Sequence, residues 1–271
     1  MSAEELLFDA VYNGDAVEAE SILRDNPTID VNLPQTSFER NTPLHLACYL
    51  GHPAIVSLLL AHPGIDLDTQ NRYGKRPVRC ALTNERIPCL RLMLKDHRVK
   101  DINEHDNDGA PPLKEAAMYG RLEVIRWLIA SGRDLDWGTP GDDKTCAVTA
   151  ARKGVASAER SKEVYSLLMA YKANPDQVRY EVRVMLGLVD EVAAEVFAVV
   201  VFVSDGLLGI YQGGGGGLAP SPATRFFMVA GRLPMELQMV LCHRVAGSSK
   251  SNIPGKNSEA AFKHLASVFL H

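Results

Sequence analysis

Between Asn41 and Leu60 the apolar residues fall into two short bursts, each with the spacing of a helix. Leu44, Ala47 and Cys48 share one face at i, i+3, i+4, and Ile55, Leu58 and Leu59 form the stripe of a second segment. Pro43 opens the first burst, where its missing N–H costs no helical hydrogen bond. Gly51 closes it by allowing a left-handed turn, and His62-Pro63-Gly64 breaks the second. The pattern recurs along the chain. The closing Gly stands at 14, 51, 120 and 154, with Glu85 in its place in the middle copy, and the spacings are 37, 34, 35 and 34 residues. The opening Pro keeps the same beat at Pro43, Pro77 and Pro112, with Leu6 and Cys146 at that position in the outer copies. A pair of helices this short cannot bury its own stripe, whereas stacked pairs can, so the pattern predicts an all-α array of about five units.

The array is expected to end at Ala173-Asn174-Pro175. Beyond it, Val178 to Leu188 and Asp190 to Val203 are apolar and predict two helices, although the Val and Phe content of Val192–Val203 fits a buried strand as well. Gln212 to Pro222, QGGGGGLAPSP, has the composition of a flexible linker. Three further helices are predicted. The first carries Phe226, Phe227 and Val229. The second opens at Pro234 with a stripe of Leu237, Val240, Leu241 and Val245. The third follows Asn257 and Ser258, with Phe262, Leu265, Ala266 and Phe269 on one side. The expected organisation is a repeat array over 1–175, an apolar helical connector over 176–211, a linker over 212–222 and a small all-helical segment over 223–271.

The stretch TPLHLACYLGHPAIVSLLLAHPGIDLD resembles the ankyrin repeat, whose signature is T-P-L-H-x-A with a period near 33 residues. Glu115 to Trp137 resembles the same unit after its opening, with Pro112-Leu113-Lys114 in the T-P-L-H place. Gly74 and Gly109 stand where that family has the Gly of a hairpin tip. The resemblance covers roughly residues 4–175 and implies an ankyrin-repeat solenoid with short β-hairpin tips. It also implies that His45 links neighbouring repeats. Three units depart from the pattern. Unit one lacks the Pro and the His, as suits a terminal cap. Unit three has Arg79 for the His and Glu85 for the Gly, and unit five carries an insertion-like stretch before a helix expected near Ser161 to Tyr171.

Composition narrows the function. A hydrophobic content of 46% and a charged content of 23% are those of an ordinary globular chain, which argues against gross disorder. The net charge of -4 leaves no electrostatic footprint for nucleic acid. Five cysteines at 48, 80, 89, 146 and 242 are odd in number, widely spaced and without a CxxC pair, so they read as reduced thiols of a cytoplasmic or nuclear chain. The acidic start MSAEELLFDA does not read as a secretion signal. Val192–Val203 is 12 residues long and contains Glu195, against the ~20 apolar residues of a spanning helix.

Candidate chemistry is thin. His45 and Cys48 could share a helical face, but no second His/Cys pair has the spacing that tetrahedral zinc needs. Asp106-Asn107-Asp108-Gly109 starts like a calcium loop, yet Ala117 occupies the twelfth position, where a bidentate acid is required. Neither the Gly213–Gly217 run nor Gly247-Ser-Ser-Lys250-Ser251 has the spacing of a phosphate loop, and no nucleophile–base set stands out. The chain therefore reads as a non-enzymatic scaffold with no cofactor or metal, binding a protein and not nucleic acid, membrane or a small molecule.

The family resemblance implies contact through the hairpin tips and the exposed face of the first helices. Those positions are Phe38, Glu39, Arg72, Tyr73, Lys75, Asn107 and Asp108 at the tips, and Tyr49, Asn84, Met118, Tyr119 and Arg152 on the helices. Tyr and Arg are enriched at interface hot spots, which singles out Tyr49, Arg72, Tyr73 and Tyr119. Arg232 to Cys242, RLPMELQMVLC, is similar to the opening of an F-box. That similarity implies a cullin-type ubiquitin ligase adaptor contacting its linker protein through Leu233, Pro234, Leu237 and Leu241. The plain alternative is that Pro234 starts a core helix.

Overall fold

The computed structural model describes residues 2–35, 39–105, 107, 109–138, 147–204, 230, 235–245, 257 and 261. The chain divides into two compact units, Met1–Arg179 and Tyr180–His271.

Unit one contains five helix pairs among its described residues. They are α1 (Ala3–Asn13) with α2 (Ala16–Asp25), α3 (Pro43–Leu50) with α4 (Pro53–Ala61), and α5 (Pro77–Thr83) with α6 (Ile87–Lys95). Then come α7 (Pro112–Met118) with α8 (Leu122–Ser131), and α9 (Ala147–Lys153) with α10 (Ala158–Ala173). The first helices α1, α3, α5, α7 and α9 pack in one row, each on the next, and the second helices α2, α4, α6, α8 and α10 form a parallel row. α3 shows why the sequence folds this way. Thr42 caps its N-terminus by accepting from the His45 amide, Pro43 occupies the first turn, and Gly51 closes it with φ 89°, donating to the Ala47 carbonyl. Pro43 to Cys48 are all buried, because a first helix has neighbours on both sides and its own second helix behind. The apolar face is therefore wider than the i, i+3, i+4 pattern implies. In α4 the buried stripe is Ile55, Val56 and Leu59, and Leu58 is only half-buried. The stripe has rotated one position from the expected one, to where both α2 and α6 reach it.

The outer units differ in detail. α1 replaces the missing Pro with a capping box, Ser2 and Glu5 each bonding the other's backbone N–H. α10 runs for 16 residues, longer than the expected Ser161–Tyr171, because Ser157 caps it earlier and nothing breaks it before Asn174. Its Tyr171 stacks on Trp137 with ring centroids 5.9 Å apart. Among the described residues the tips are turns, not β-hairpins, with a single isolated bridge between Gln35 and Asn41. Each is too short for a ladder, and its extra backbone groups bond to the adjacent tip instead.

α11 (Pro175–Met185) spans the boundary between the two units, and Gly187 follows it with φ 72°. In unit two, α12 (Leu188–Ser204) settles the ambiguity of Val192–Val203 as helix. Ala193, Ala194, Phe197, Ala198 and Val200 are buried with Cys242 of α13 (Met235–Val245), together with Ala230 and Ala261. The run of alanines lets α13 approach α12 closely. Val245, expected on the apolar stripe of α13, is exposed, since it lies in the last turn beyond the buried Gln238 and Cys242. The 212–222 linker and most of the predicted first and third C-terminal helices lie outside the described residues. No described helix is long and apolar enough to cross a membrane.

Two glycines separate the causes of the tight turns. A Cβ on Gly154 would press into the Met118 and Ala150 carbonyl oxygens, whereas one on Gly109 (φ +70°) would meet nothing within 4 Å. Gly109→Ala is expected to lower stability only by the left-handed backbone cost, about 1 kcal/mol. Gly154 does not have a positive φ and escapes that cost, but an added Cβ must move the α7 terminus, and Gly154→Ala is expected to cost about 2–3 kcal/mol. Urea denaturation of the two variants checks the order, and equal losses would contradict it.

Candidate functional site

The tips carry backbone that few side chains tolerate. Glu39 and Arg40 both have positive φ, 59° and 58°, and Arg40 stands where the next two tips have Gly74 and Gly109. Left-handed backbone costs an ordinary residue about 1–2 kcal/mol, so something must hold this tip in place. Its neighbour does. The Arg72 amide donates to the Glu39 carbonyl at 2.8 Å, and the Tyr73 hydroxyl donates to Glu39 Oε1 at 2.5 Å. The following tip continues the stack: the Asn107 amide donates to the Tyr73 carbonyl at 3.3 Å and its side-chain amide to the Arg72 carbonyl at 3.2 Å. The hydrogen bond to the Glu39 carboxylate holds the Tyr73 phenol above its ordinary pKa. Glu39, Tyr73 and Asn107 thus bond to adjacent tips, while the Arg72 side chain is exposed.

Buried side chains under the tips fix their height. Thr42 Oγ1 lies 2.8 Å from His45 Nδ1, and the Thr42 amide reaches the same nitrogen at 3.3 Å. Nδ1 therefore accepts, and Nε2–H donates to the Lys75 carbonyl of the next unit at 2.9 Å. Burial lowers the His45 pKa to about 4, partly opposed by the Lys75 and Thr69 carbonyls, so the ring is neutral at pH 7. Asn71 completes the joint, donating to Asn41 Oδ1 and accepting from the Tyr73 and Lys75 amides.

Arg79, which replaces the His in unit three, makes the same connection by other means. Its Nη1 donates to the Glu104 carbonyl at 3.1 Å and its Nη2 to the Ala110 carbonyl at 3.0 Å, gripping both sides of the next tip. Nε and Nη2 also reach Glu115 Oε2, at 3.1 and 2.8 Å. Arg121 Nη1 lies 3.3 Å from the other carboxylate oxygen, and its guanidinium sits 4.7 Å from the centroid of the Tyr119 ring. Removing one member of a buried ion pair strands the other at a cost of about 3–5 kcal/mol, so unit three accepts an Arg only because unit four supplies Glu115.

At the ends of the first helices, one exposed row runs along the array. Tyr12 is 52% exposed, Tyr49 49% and Tyr119 44%, with Arg152 exposed at the far end and Met118 half-buried between. Arg86 Nε donates to the Tyr49 carbonyl and ties one unit to the next. Asn84 folds back onto the Cys80 carbonyl of its own helix, at 2.8 Å. Lys75 is half-buried, with its carbonyl committed to His45. Phe38 and Asp108 lie outside the described residues, as do Leu233 and Pro234. Leu237 is helical, and Leu241 packs partly against the buried cluster of unit two.

Several residues escaped the sequence reading. Asn32 donates to the Gly64 carbonyl and accepts from the Asp66 amide, and Asn103 does the same with Asp134 and Asp136 one unit later in each case. Their signal was a shared position just after a buried Val31 or Ile102, 71 residues apart. Tyr12 was legible as the counterpart of Tyr49, 37 residues earlier. Glu115 was visible as an acid inside an apolar helix face, but nothing in its spacing named Arg79 as its partner.

Nothing described here resembles a reaction centre. Burial raises the Cys48 thiol well above its ordinary pKa, Cys80 to about 12 and Cys89 to about 11, so all three stay protonated. Among the described residues no group of three or more His, Cys, Asp or Glu is placed to hold a metal.

Residues 7–106 match the family model described as ankyrin repeats (3 copies). The chain is 34% identical over 97 residues to a transient receptor potential cation channel subfamily A member 1 homolog of Caenorhabditis elegans, covering 35% of this chain and 8% of that protein. It is 30% identical over 128 residues to the tyrosine-protein kinase HTK16 of Hydra vulgaris, covering 45% of this chain and 17% of the kinase. It thus spans less than a fifth of these two relatives. Among solved structures, the ankyrin repeat protein EF0377 superposes with a TM-score of 0.55 at 28% identity, over 63% of this chain and 82% of that one.

The neutral, buried His45 makes stability depend on pH. Above about 6.5 both states are uncharged at this site; between about 6.5 and about 4 the unfolded chain takes up a proton that the folded chain does not. The stability His45 contributes is thus complete above about pH 6.5 and falls away as the pH drops to about 4. Urea melts of the wild-type chain and His45→Gln at pH 7 and 4.5 should differ in their pH-dependent loss by about 2 kcal/mol, the wild type losing more. Identical losses would contradict the assignment.

Proposed function

We propose that this ankyrin repeat array, a fold that in general binds other proteins and does not itself catalyse a reaction, recognises a protein partner through its tips and first-helix ends. The observation that carries the reading is the exposed row of Tyr12, Tyr49 and Tyr119 on a framework whose polar groups are tied together from unit to unit. Large aromatics left in solvent on a rigid surface bury much area at little conformational cost when a partner arrives. Arg72, Lys75, Met118 and Arg152 surround the row, and Asn84 borders it. Glu39, Tyr73 and Asn107 serve the site by fixing the tips. Phe38 and Asp108 belong to the same tips by sequence. The chain acts as a non-enzymatic scaffold or adaptor in the cytoplasm or nucleus.

A second reading is that the C-terminal segment docks the array onto a cullin-type ubiquitin ligase. It is supported by the helical state of Leu237 and Leu241 in α13, the stretch that an F-box-like opening places on a helix.

For the main reading, proximity labelling with the wild-type chain identifies partners, and Tyr49→Ala plus Tyr119→Ala is expected to weaken their capture at least tenfold. Both residues are exposed, so the thermal melt should be nearly unchanged. Retention of every partner at full strength would show that the surface is misassigned. For the second reading, the intact chain should co-purify with a cullin linker protein and lose it on Leu233→Ala with Pro234→Ala. An intact chain that captures none refutes it.

A further inference from the structure

The exposed row has a chemical polarity along its length. At its start, α1 carries Glu4, Glu5 and Asp9, with Asp15 just beyond. At its other end, Arg152 occupies the position held by Tyr12 in α1 and Tyr49 in α3. Arg152 lines an open cleft of about 340 Å³ between α9 and α10, with Ala151, Ser161, Lys162 and Tyr165 as the other walls. No carboxylate is among these residues. Neither Arg152 nor Lys162 forms an ion pair with any described residue. Two cations and the Tyr165 hydroxyl line one concavity with no carboxylate on its walls, and the Ser161 hydroxyl beside them donates to the Ala156 carbonyl at 3.4 Å.

The cleft is continuous with the aromatic row. The Val155 amide donates to the Met118 carbonyl at 3.0 Å, which seats the α9–α10 turn on the end of α7. A Cβ on Gly120 would meet Ala156 and the Cβ of Arg160, so Tyr119 and its Arg121 lie beside the same turn. Glu115, the acid of this region's buried cluster, is already shared between Arg79 and Arg121. Glu159 and Glu163 are exposed on α10 but do not line the cleft.

We propose that this cleft is an acid-binding subsite of the recognition surface. An aspartate or glutamate carboxylate of an acidic partner segment sits between Arg152 and Lys162, accepting from the Tyr165 hydroxyl, while the adjoining residue of that segment covers Tyr119. This rests on the reading of the aromatic row as the protein-binding surface. It adds the sign of the partner and the direction in which the partner lies, acidic end toward α10. The long-range part of the attraction is screened by salt, and the contact over the Tyr119 ring is not.

The test uses the intact 271-residue chain and a displayed library of random twelve-residue peptides. Peptides retained by the wild type should be enriched in Asp and Glu over the input, and their affinity should fall as salt rises. Arg152→Glu with Lys162→Glu should weaken the retained peptides about tenfold or more, with an unchanged thermal melt because both side chains are exposed. Tyr49→Ala with Tyr119→Ala should weaken them as well. Peptides that depend on the two tyrosines but show no acid enrichment, or that ignore the charge reversal, overturn the subsite and leave the surface standing. Peptides that ignore the tyrosines, or the absence of any retained peptide, overturn both. Synthetic phosphoserine versions of the retained peptides form a further arm, and binding only in the phosphorylated form would overturn the carboxylate assignment.

Discussion

One hydrogen bond, repeated with different chemistry, sets the geometry of the array. A polar side chain at the fourth position of the T-P-L-H motif reaches from a first helix to a carbonyl in the tip of the next unit. In unit two the donor is His45 and the acceptor is Lys75. In unit three the donor is Arg79 and the acceptors are Glu104 and Ala110. The Lys75 carbonyl also accepts from the Asn71 amide, so misdocking would strand the buried His45 N–H, at a cost on the order of 1–3 kcal/mol, and the next unit docks favourably only where its carbonyl meets that donor. The stacked first helices supply the hydrophobic driving force, and the buried donor decides the register in which they stack. The two solutions place different demands on their surroundings. A histidine can be buried neutral and needs only Thr42 to orient it, while an arginine brings a permanent charge and requires Glu115 in the following helix.

The proposed recognition surface follows from that joint. Tips held at fixed height can bond to one another, and the Glu39–Arg72, Glu39–Tyr73 and Tyr73–Asn107 contacts do so. This is why two consecutive residues at Glu39 and Arg40 sustain a left-handed backbone without glycine. With the tips locked, the first-helix ends present Tyr12, Tyr49 and Tyr119 at one repeat position or its neighbour, on a support that loses little freedom on binding. Arg121 extends the buried ionic cluster to the face of Tyr119, so the chemistry that fixes register in the interior also conditions the surface.

The beat of Gly51, Gly120 and Gly154 with Pro43, Pro77 and Pro112 made the array legible before any coordinate, because period is a property of the chain alone. The α-helical state of Val192–Val203 was not legible. Its burial on several sides, beside Cys242 of α13, hides the alternation that separates a strand from a helix. At the tips the chain showed which residues stand in solvent but not which of them bond to each other. Tyr73 and Asn107 read as free contact residues, while the structure gives their polar groups to adjacent units. The partnership of Arg79 with Glu115 was hidden for the same reason: 36 residues separate them, and only the stacking of α5 on α7 brings them together.

Buried cross-repeat donors pre-organise the tips that the proposed recognition surface uses. Native-state hydrogen exchange of the Arg72, Gly74 and Asn107 amides tests this directly, in the wild-type chain and in His45→Ala. The wild-type amides are expected to be protected, and His45→Ala is expected to release Arg72 and Gly74 while the amides inside α3 stay slow. Tip amides that exchange freely in the wild type, or that keep their protection without His45, would contradict it.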